Sequence, residues 1–83
     1  MEELVTYIVR ELVNHPDAVT VKTNETVGGV RIEVSVLPED AGLVIGKRGY
    51  VIRSIRQLAN VIAVKQKQKV MVDVVPIGEE PRY

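Results

Sequence analysis

The sequence predicts an α+β domain: a three-stranded mixed sheet with three helices packed on one face, in the order helix, strand, strand, helix, helix, strand. Three observations predict it. Residues 2–14 and 51–63 carry apolar side chains at helical spacing, while residues 19–22, 30–36 and 70–74 alternate with period two. Gly28-Gly29 lies between the first two alternating runs, as a hairpin turn would. The third run is separated from the second by enough chain for a crossover, which parallel pairing requires. With 83 residues, 46% of them hydrophobic, there is material for one core and one domain.

The first helix is set by Leu4, Ile8 and Leu12, with Val5, Val9 and Val13 as the adjacent row. Glu2 and Glu3 suit the positive end of its dipole. Pro16 disfavours helix at His15, so the helix should stop near Asn14. The first strand, residues 18–25, alternates Val19 and Val21 against Thr20 and Lys22. The second, residues 30–37, points Val30, Ile32, Val34 and Val36 one way and Arg31, Glu33 and Ser35 the other.

Pro38-Glu39-Asp40 opens a short second helix, with proline pre-set for the first turn and two carboxylates behind it. Gly46 ends it within two turns. A third helix follows Gly49, with Val51, Ile52, Ile55, Leu58, Ala59, Ile62 and Ala63 as its apolar side and Arg53, Arg56, Gln57 and Asn60 as its polar side. Lys65-Gln66-Lys67-Gln68-Lys69 is a basic connection to the last strand, residues 70–75. Residues 1–75 form the domain and 76–83 a short polar tail; no repeat or second domain is visible.

Eleven basic and eleven acidic side chains give a net charge of zero, but the signs are segregated. Residues 1–40 carry Arg10, Lys22 and Arg31 against eight acids, a charge of −5. Residues 41–72 carry Lys47, Arg48, Arg53, Arg56, Lys65, Lys67 and Lys69 and no acid, +7. Residues 73–83 carry Arg82 against Asp73, Glu79 and Glu80, −2. A neutral chain thereby presents one positive region, the electrostatic footprint of a polyanion site.

Several classes are disfavoured. Cysteine is absent, so no disulfide or thiolate metal site supports the fold, which is compatible with a reducing cytoplasm. Met1-Glu2-Glu3 has acids where a secretory signal has Lys or Arg, and no stretch approaches the roughly 18 apolar residues of a membrane span. A soluble cytoplasmic protein is expected. The lone His15 has no companion at ligand spacing and reads as a surface or cap residue, so no metal or cofactor is expected. Nothing suggests a catalytic triad. Gly42-Leu43-Val44-Ile45-Gly46-Lys47 is not a nucleotide-binding P-loop. It has three residues between glycines where that motif has four, and Arg48 stands where Ser or Thr would hold magnesium.

The informative segment is Val44-Ile45-Gly46-Lys47-Arg48-Gly49. Two glycines free the backbone around two cations, and the next helix turns its unpaired N–H groups and partial positive charge toward them. That combination receives a phosphodiester. Gly46-Lys47-Arg48-Gly49, with helices on both sides, resembles the GXXG loop of the K-homology (KH) RNA-binding domain, and the element order resembles its type II, bacterial form. Pro38 through Gly49 is similar to the equivalent stretch of the small single-KH bacterial family KhpA, and the likeness runs from the opening Glu-Leu-Val helix to the Val70–Val75 strand.

The resemblance implies a non-catalytic protein that grips about four nucleotides of single-stranded RNA between the helix–loop–helix and a strand edge. It implies that Gly46, Lys47, Arg48 and Gly49 hold the sugar–phosphate chain, and that Val44, Ile45 and Ile52 floor the groove under the bases, though core packing serves the same three residues. Arg53 and Arg56 stand one and two turns into the next helix, either reaching a phosphate or base edge or forming a solvated face. Tyr50 departs from the basic or small polar residue many relatives carry there; it stacks on a base or covers the helix start. The lysines at 65, 67 and 69 read as a soluble loop. The family implies a post-transcriptional regulator or RNA chaperone. It also implies partners: a homodimer, or a heterodimer with a larger Jag-type KH protein, which makes a protein–protein adaptor the alternative function. Glycine grip on a backbone does not separate RNA from single-stranded DNA, and with no Phe or Trp and only three Tyr, stacking cannot be the main hold.

Overall fold

In a computed structural model, which describes residues 1–82, the elements follow the predicted order. They are α1 (Glu2–Leu12), β1 (Thr20–Thr26), β2 (Gly29–Val36), α2 (Pro38–Ile45), α3 (Tyr50–Lys65) and β3 (Lys69–Pro76), with single 3-10 turns at Pro16–Ala18 and Lys47–Gly49. Tyr83, the last residue of the predicted tail, lies outside the described residues.

The sheet order is β1-β2-β3. β1 runs antiparallel to β2, and β2 runs parallel to β3 in a register that sets Gly29 opposite Lys69 and Val34 opposite Val74. The crossover between the parallel strands is α2, the Lys47–Gly49 turn and α3, so the predicted loop lies inside the connection that builds the sheet. Ile32, Val34 and Val36 of β2 and Val70, Val72 and Val74 of β3 are buried, with Val5 and Val9 of α1, Ala41 and Val44 of α2, and Ile52, Ile55, Ala59 and Ala63 of α3, in one hydrophobic cluster. Each Val or Ile withdrawn from water in this way contributes about 1.5–3 kcal/mol. All of these strand residues share one parity, so the helices cover one face of the sheet.

Three local differences from the sequence reading have physical causes. The helical stripe of α1 is narrower than its apolar row: Val5 and Val9 are buried, while Leu4 is partly exposed. The hairpin turn is Val27-Gly28, with Gly28 at φ 84°, and Gly29 belongs to β2. Gly29 pairs with Lys69 of the parallel neighbour, and a Cβ there would stand 2.0 Å from the Lys69 carbonyl oxygen, so this glycine serves close strand approach rather than the turn. Leu58, counted on the apolar side of α3, is 52% exposed, with Val61 and Val64 more so. The helix carries more apolar surface than one sheet face can cover.

Candidate nucleic-acid interface

α2 aims the loop. Its first turn carries Pro38, Glu39 and Asp40, and Asp40 is buried at 1% exposure. The Asp40 carboxylate accepts the His15 backbone N–H at 3.0 Å, and its Oδ2 stands 3.1 Å from His15 Nδ1. The lone histidine is therefore tied to the start of α2, and the α1–β1 connection anchors the helix that ends at the loop.

That end is abrupt. The Gly46 N–H closes the last α2 turn on the Gly42 carbonyl at 2.9 Å, after which Gly46 takes φ 77°, ψ 171°, a combination only glycine visits freely. Arg48 (φ 56°, ψ 22°) and Gly49 (φ 76°, ψ 15°) are left-handed too. Three of the four loop residues thus have positive φ, and the backbone folds into a single turn closed by Gly49 N–H to Gly46 O at 3.1 Å. Lys47 and Arg48 stand exposed at its tip, and their side chains make no ion pair or hydrogen bond with another described residue.

α3 begins at this turn without a capping side chain and, unlike α1 and α2, with no acid in its first turn. The partial positive charge of its N-terminus is left to an outside anion.

The two arginines reach inward. Arg53 donates from Nε to the Gly49 carbonyl (3.2 Å) and from Nη2 to the Arg48 carbonyl (2.6 Å), and its guanidinium lies 4.8 Å from the centre of the half-exposed Tyr50 ring. It binds the loop's own carbonyls, consuming acceptors that would repel a phosphate. Arg56 donates from Nε to the Val72 carbonyl at 2.9 Å, joining the middle of α3 to β3. Between them runs a shallow groove lined by Arg56, Asn60, Val70, Met71, Val72 and Asp73. Its far wall is the edge of the sheet, since β3 has no strand on its other side.

Of the three apolar candidates, Val44 and Ile52 have 0% exposure and support the floor from within the core; Ile45 alone keeps surface of its own. Gly46, Lys47, Arg48, Gly49, Tyr50, Arg53 and Arg56 are brought together around the loop and the first two turns of α3. Lys65 ends that helix at its opposite end, Lys67 lies in the turn to β3, and Lys69 opens β3. The groove residues Met71 and Asp73 were not singled out by sequence, because alternation assigns a face and not an edge. No helix among the described residues is long and apolar enough to cross a membrane.

Comparison with known proteins agrees with this geometry. The sequence model of the family described as KhpA/KhpB, KH domain, matches residues 2–74. A protein of Caldanaerobacter subterraneus subsp. tengcongensis named RNA-binding protein KhpA is 43% identical over 75 residues, covering 90% of this chain and 100% of that one. The protein of the same name from Halalkalibacterium halodurans is 40% identical over 75 residues, covering 90% and 99%. That of Bacillus subtilis is 35% identical over 74 residues, covering 89% and 91%. A helix–turn–helix crossover between parallel strands, a glycine-framed turn at its apex, and matches of this extent lead to one conclusion: the chain belongs to the KhpA/KhpB family of KH-domain proteins.

Proposed function

We propose that this chain binds single-stranded RNA, without catalysis, through the Gly46–Gly49 turn and the first two turns of α3. The observation that carries the reading is the turn itself. Two cations without a side-chain partner among the described residues sit in a tight turn, Arg48 on a left-handed backbone between two glycines, at an uncapped helix N-terminus, a receptor for consecutive phosphates. The family is one of RNA-binding KH domains and not of enzymes, and the relatives' shared name supports RNA as the ligand. In this reading Gly46, Lys47, Arg48 and Gly49 hold the sugar–phosphate chain, Tyr50 and Ile45 face the nucleotides, and Val44 and Ile52 keep the floor in place. Arg53 shapes the turn, and Arg56 fixes the helix to the far wall. Residues 1–75 are the binding module, acting in the cytoplasm as a post-transcriptional regulator or RNA chaperone. The test is Lys47→Asp with Arg48→Asp, assayed by fluorescence anisotropy on labelled single-stranded RNA, with circular dichroism to establish that the fold is kept. Binding should be lost. Unchanged affinity in the folded variant would refute the proposal, and competition with DNA of matched sequence separates the two sugars.

A second reading rests on a separate observation. Leu58, Val61 and Val64 form an exposed apolar row on α3, 52%, 64% and 73% accessible. That row suits a homodimer or a Jag-type KH partner, and a second linked site would raise the avidity of a short recognition groove. Val61→Lys should shift the mass in solution to the monomer; a wild-type chain that is monomeric at high concentration and retains no Jag-type partner would dismiss this reading.

A further inference from the structure

The segment after β3 is not a free tail. Ile77 N–H continues the parallel ladder by donating to Val36 O at 2.9 Å, and Glu79 N–H turns back to Pro76 O at 3.0 Å. Arg82 then donates its backbone N–H to Val74 O at 3.0 Å, while its guanidinium holds Glu79 Oε1 at 2.8 Å. Residues 77–82 thus form a closed loop pinned on β3.

Where it is pinned matters. Lys69 and Ile77 turn their N–H groups toward β2, so the odd-numbered residues of β3 face the sheet. The even-numbered ones, Val70, Val72 and Val74, offer their backbone groups to the open edge. That edge is the far wall of the groove. Arg56 from α3 already caps the Val72 carbonyl, and Arg82 caps the next one along, roughly 7 Å away by strand rise. α3 returns into β3 through a short turn, so moving toward the start of α3 corresponds to moving toward the end of β3. From Arg56 back to Gly49 is seven residues, roughly 10 Å of helix, which sets the Gly46–Gly49 turn level with the end of β3 and the pinned loop. The loop also brings Glu79 and Glu80, which repel a phosphodiester chain approaching the same edge. The matched family region, residues 2–74, stops short of this loop.

We infer that residues 77–82 are an intramolecular competitor for the nucleic-acid groove: a strap that occupies the β3 edge beside the loop and must leave Val74 before a strand can lie along that wall. The inference rests on the RNA reading of the site. At its far end the strap is fastened to the β3 edge by one backbone hydrogen bond, Arg82 N–H to Val74 O, while the exposed Arg82–Glu79 ion pair lies within the loop itself; this is a weak closure whose open state remains populated. Apparent affinity is lowered by the open fraction. Removing the closure should therefore tighten binding about fivefold.

Two variants test it on a fluorescein-labelled single-stranded RNA octamer of randomised sequence, beside the Lys47→Asp/Arg48→Asp protein. Arg82→Pro deletes the backbone donor and one positive charge. Charge alone predicts weaker binding, whereas loss of the strap predicts tighter binding. A chain ending after Gly78 should bind at least as tightly as Arg82→Pro. In the wild-type chain, exchange of the Arg82 amide should be slowed in the free protein and accelerate when RNA saturates it, because ligand and strap exclude each other. Weaker or unchanged binding by Arg82→Pro, or equal Arg82 protection with and without RNA, overturns the strap. If this happens while the Lys47/Arg48 variant loses binding, the site reading stands alone. If that variant also binds as wild type, both fall.

Discussion

Replacing Gly46 by alanine should be among the most damaging single-methyl changes available to this protein, and the same change at Gly42, one helical turn earlier, should do the opposite. Gly46 holds φ 77°, ψ 171°. Forcing an L residue into that region costs about 1–3 kcal/mol before any contact is considered. The added Cβ would also meet Val51 Cγ2 at 2.4 Å, Val51 Cβ at 2.8 Å and the Val51 backbone nitrogen at 2.9 Å. The side-chain atoms have some freedom, but the nitrogen belongs to the first turn of α3 and cannot retreat without tilting the helix. A further 1–3 kcal/mol is the usual cost of overpacking of this kind. Together the terms reach about 2–6 kcal/mol, a large part of the whole stability of a small domain. At about 4–8 °C per kcal/mol, the Gly46→Ala midpoint should fall by at least about 8 °C. Gly42 lies within α2, and a Cβ there meets nothing within 4 Å. Alanine at that position should add about 0.4–1 kcal/mol by restricting the unfolded chain. Urea and thermal unfolding followed by far-ultraviolet circular dichroism measures both. A Gly46→Ala protein within about 0.5 kcal/mol of wild type, or two variants shifting in the same direction, would refute the argument that loop conformation is imposed by backbone sterics.

Other consequences are open to simpler measurement. Gly29→Ala sets a methyl against the Lys69 carbonyl and should open the β2–β3 ladder at its start, costing about 2–4 kcal/mol in urea unfolding. Asp40→Ala leaves the His15 N–H without its acceptor and unties α2 from the α1–β1 connection; a loss of about 1–3 kcal/mol is expected in the same assay. Arg53→Met keeps the apolar stem but frees the Arg48 and Gly49 carbonyls, so RNA affinity should fall about tenfold or more while the thermal midpoint moves by only a few degrees. Lys47→Ala should make the slope of log affinity against log salt shallower by about 0.7, the share of one phosphate contact on a single strand; an unchanged slope would remove Lys47 from the interface.

Much of the fold was legible because it is written in periods. The alternation of Ile32, Val34 and Val36 and of Val70, Val72 and Val74 becomes two adjacent parallel strands, and the spacing through Ile52, Ile55, Ala59 and Ala63 becomes the inner face of α3. The loop was legible because glycine at 46 and 49 announces backbone angles that other residues avoid. What periodicity cannot show is which way a long side chain bends. Arg53 and Arg56 occupy the polar side of α3 as expected, yet both turn onto carbonyls, one local and one on a strand sixteen residues later in the chain. Nor does it show that a residue with an ordinary propensity will be forced left-handed, as Arg48 is between its glycines. Asp40 read as a dipole-matching acid at a helix start, and only the fold brings His15 to it. The tail read only as short and polar, because the contact that returns it to the sheet, Arg82 N–H to Val74 O, is a backbone bond that no side-chain pattern encodes.

The strand order has a consequence in time. The loop and both helices of the crossover are made before β3, but β3 supplies the far wall of the groove and, through Val72, the anchor for Arg56. A chain still being synthesised therefore carries the cations without the groove. Until residues 69–76 emerge and pair with β2, it meets nucleic acid only as a loose basic peptide. In the proposed mode of binding, grip therefore waits for β3, and the segment inferred to compete for that strand follows directly behind it.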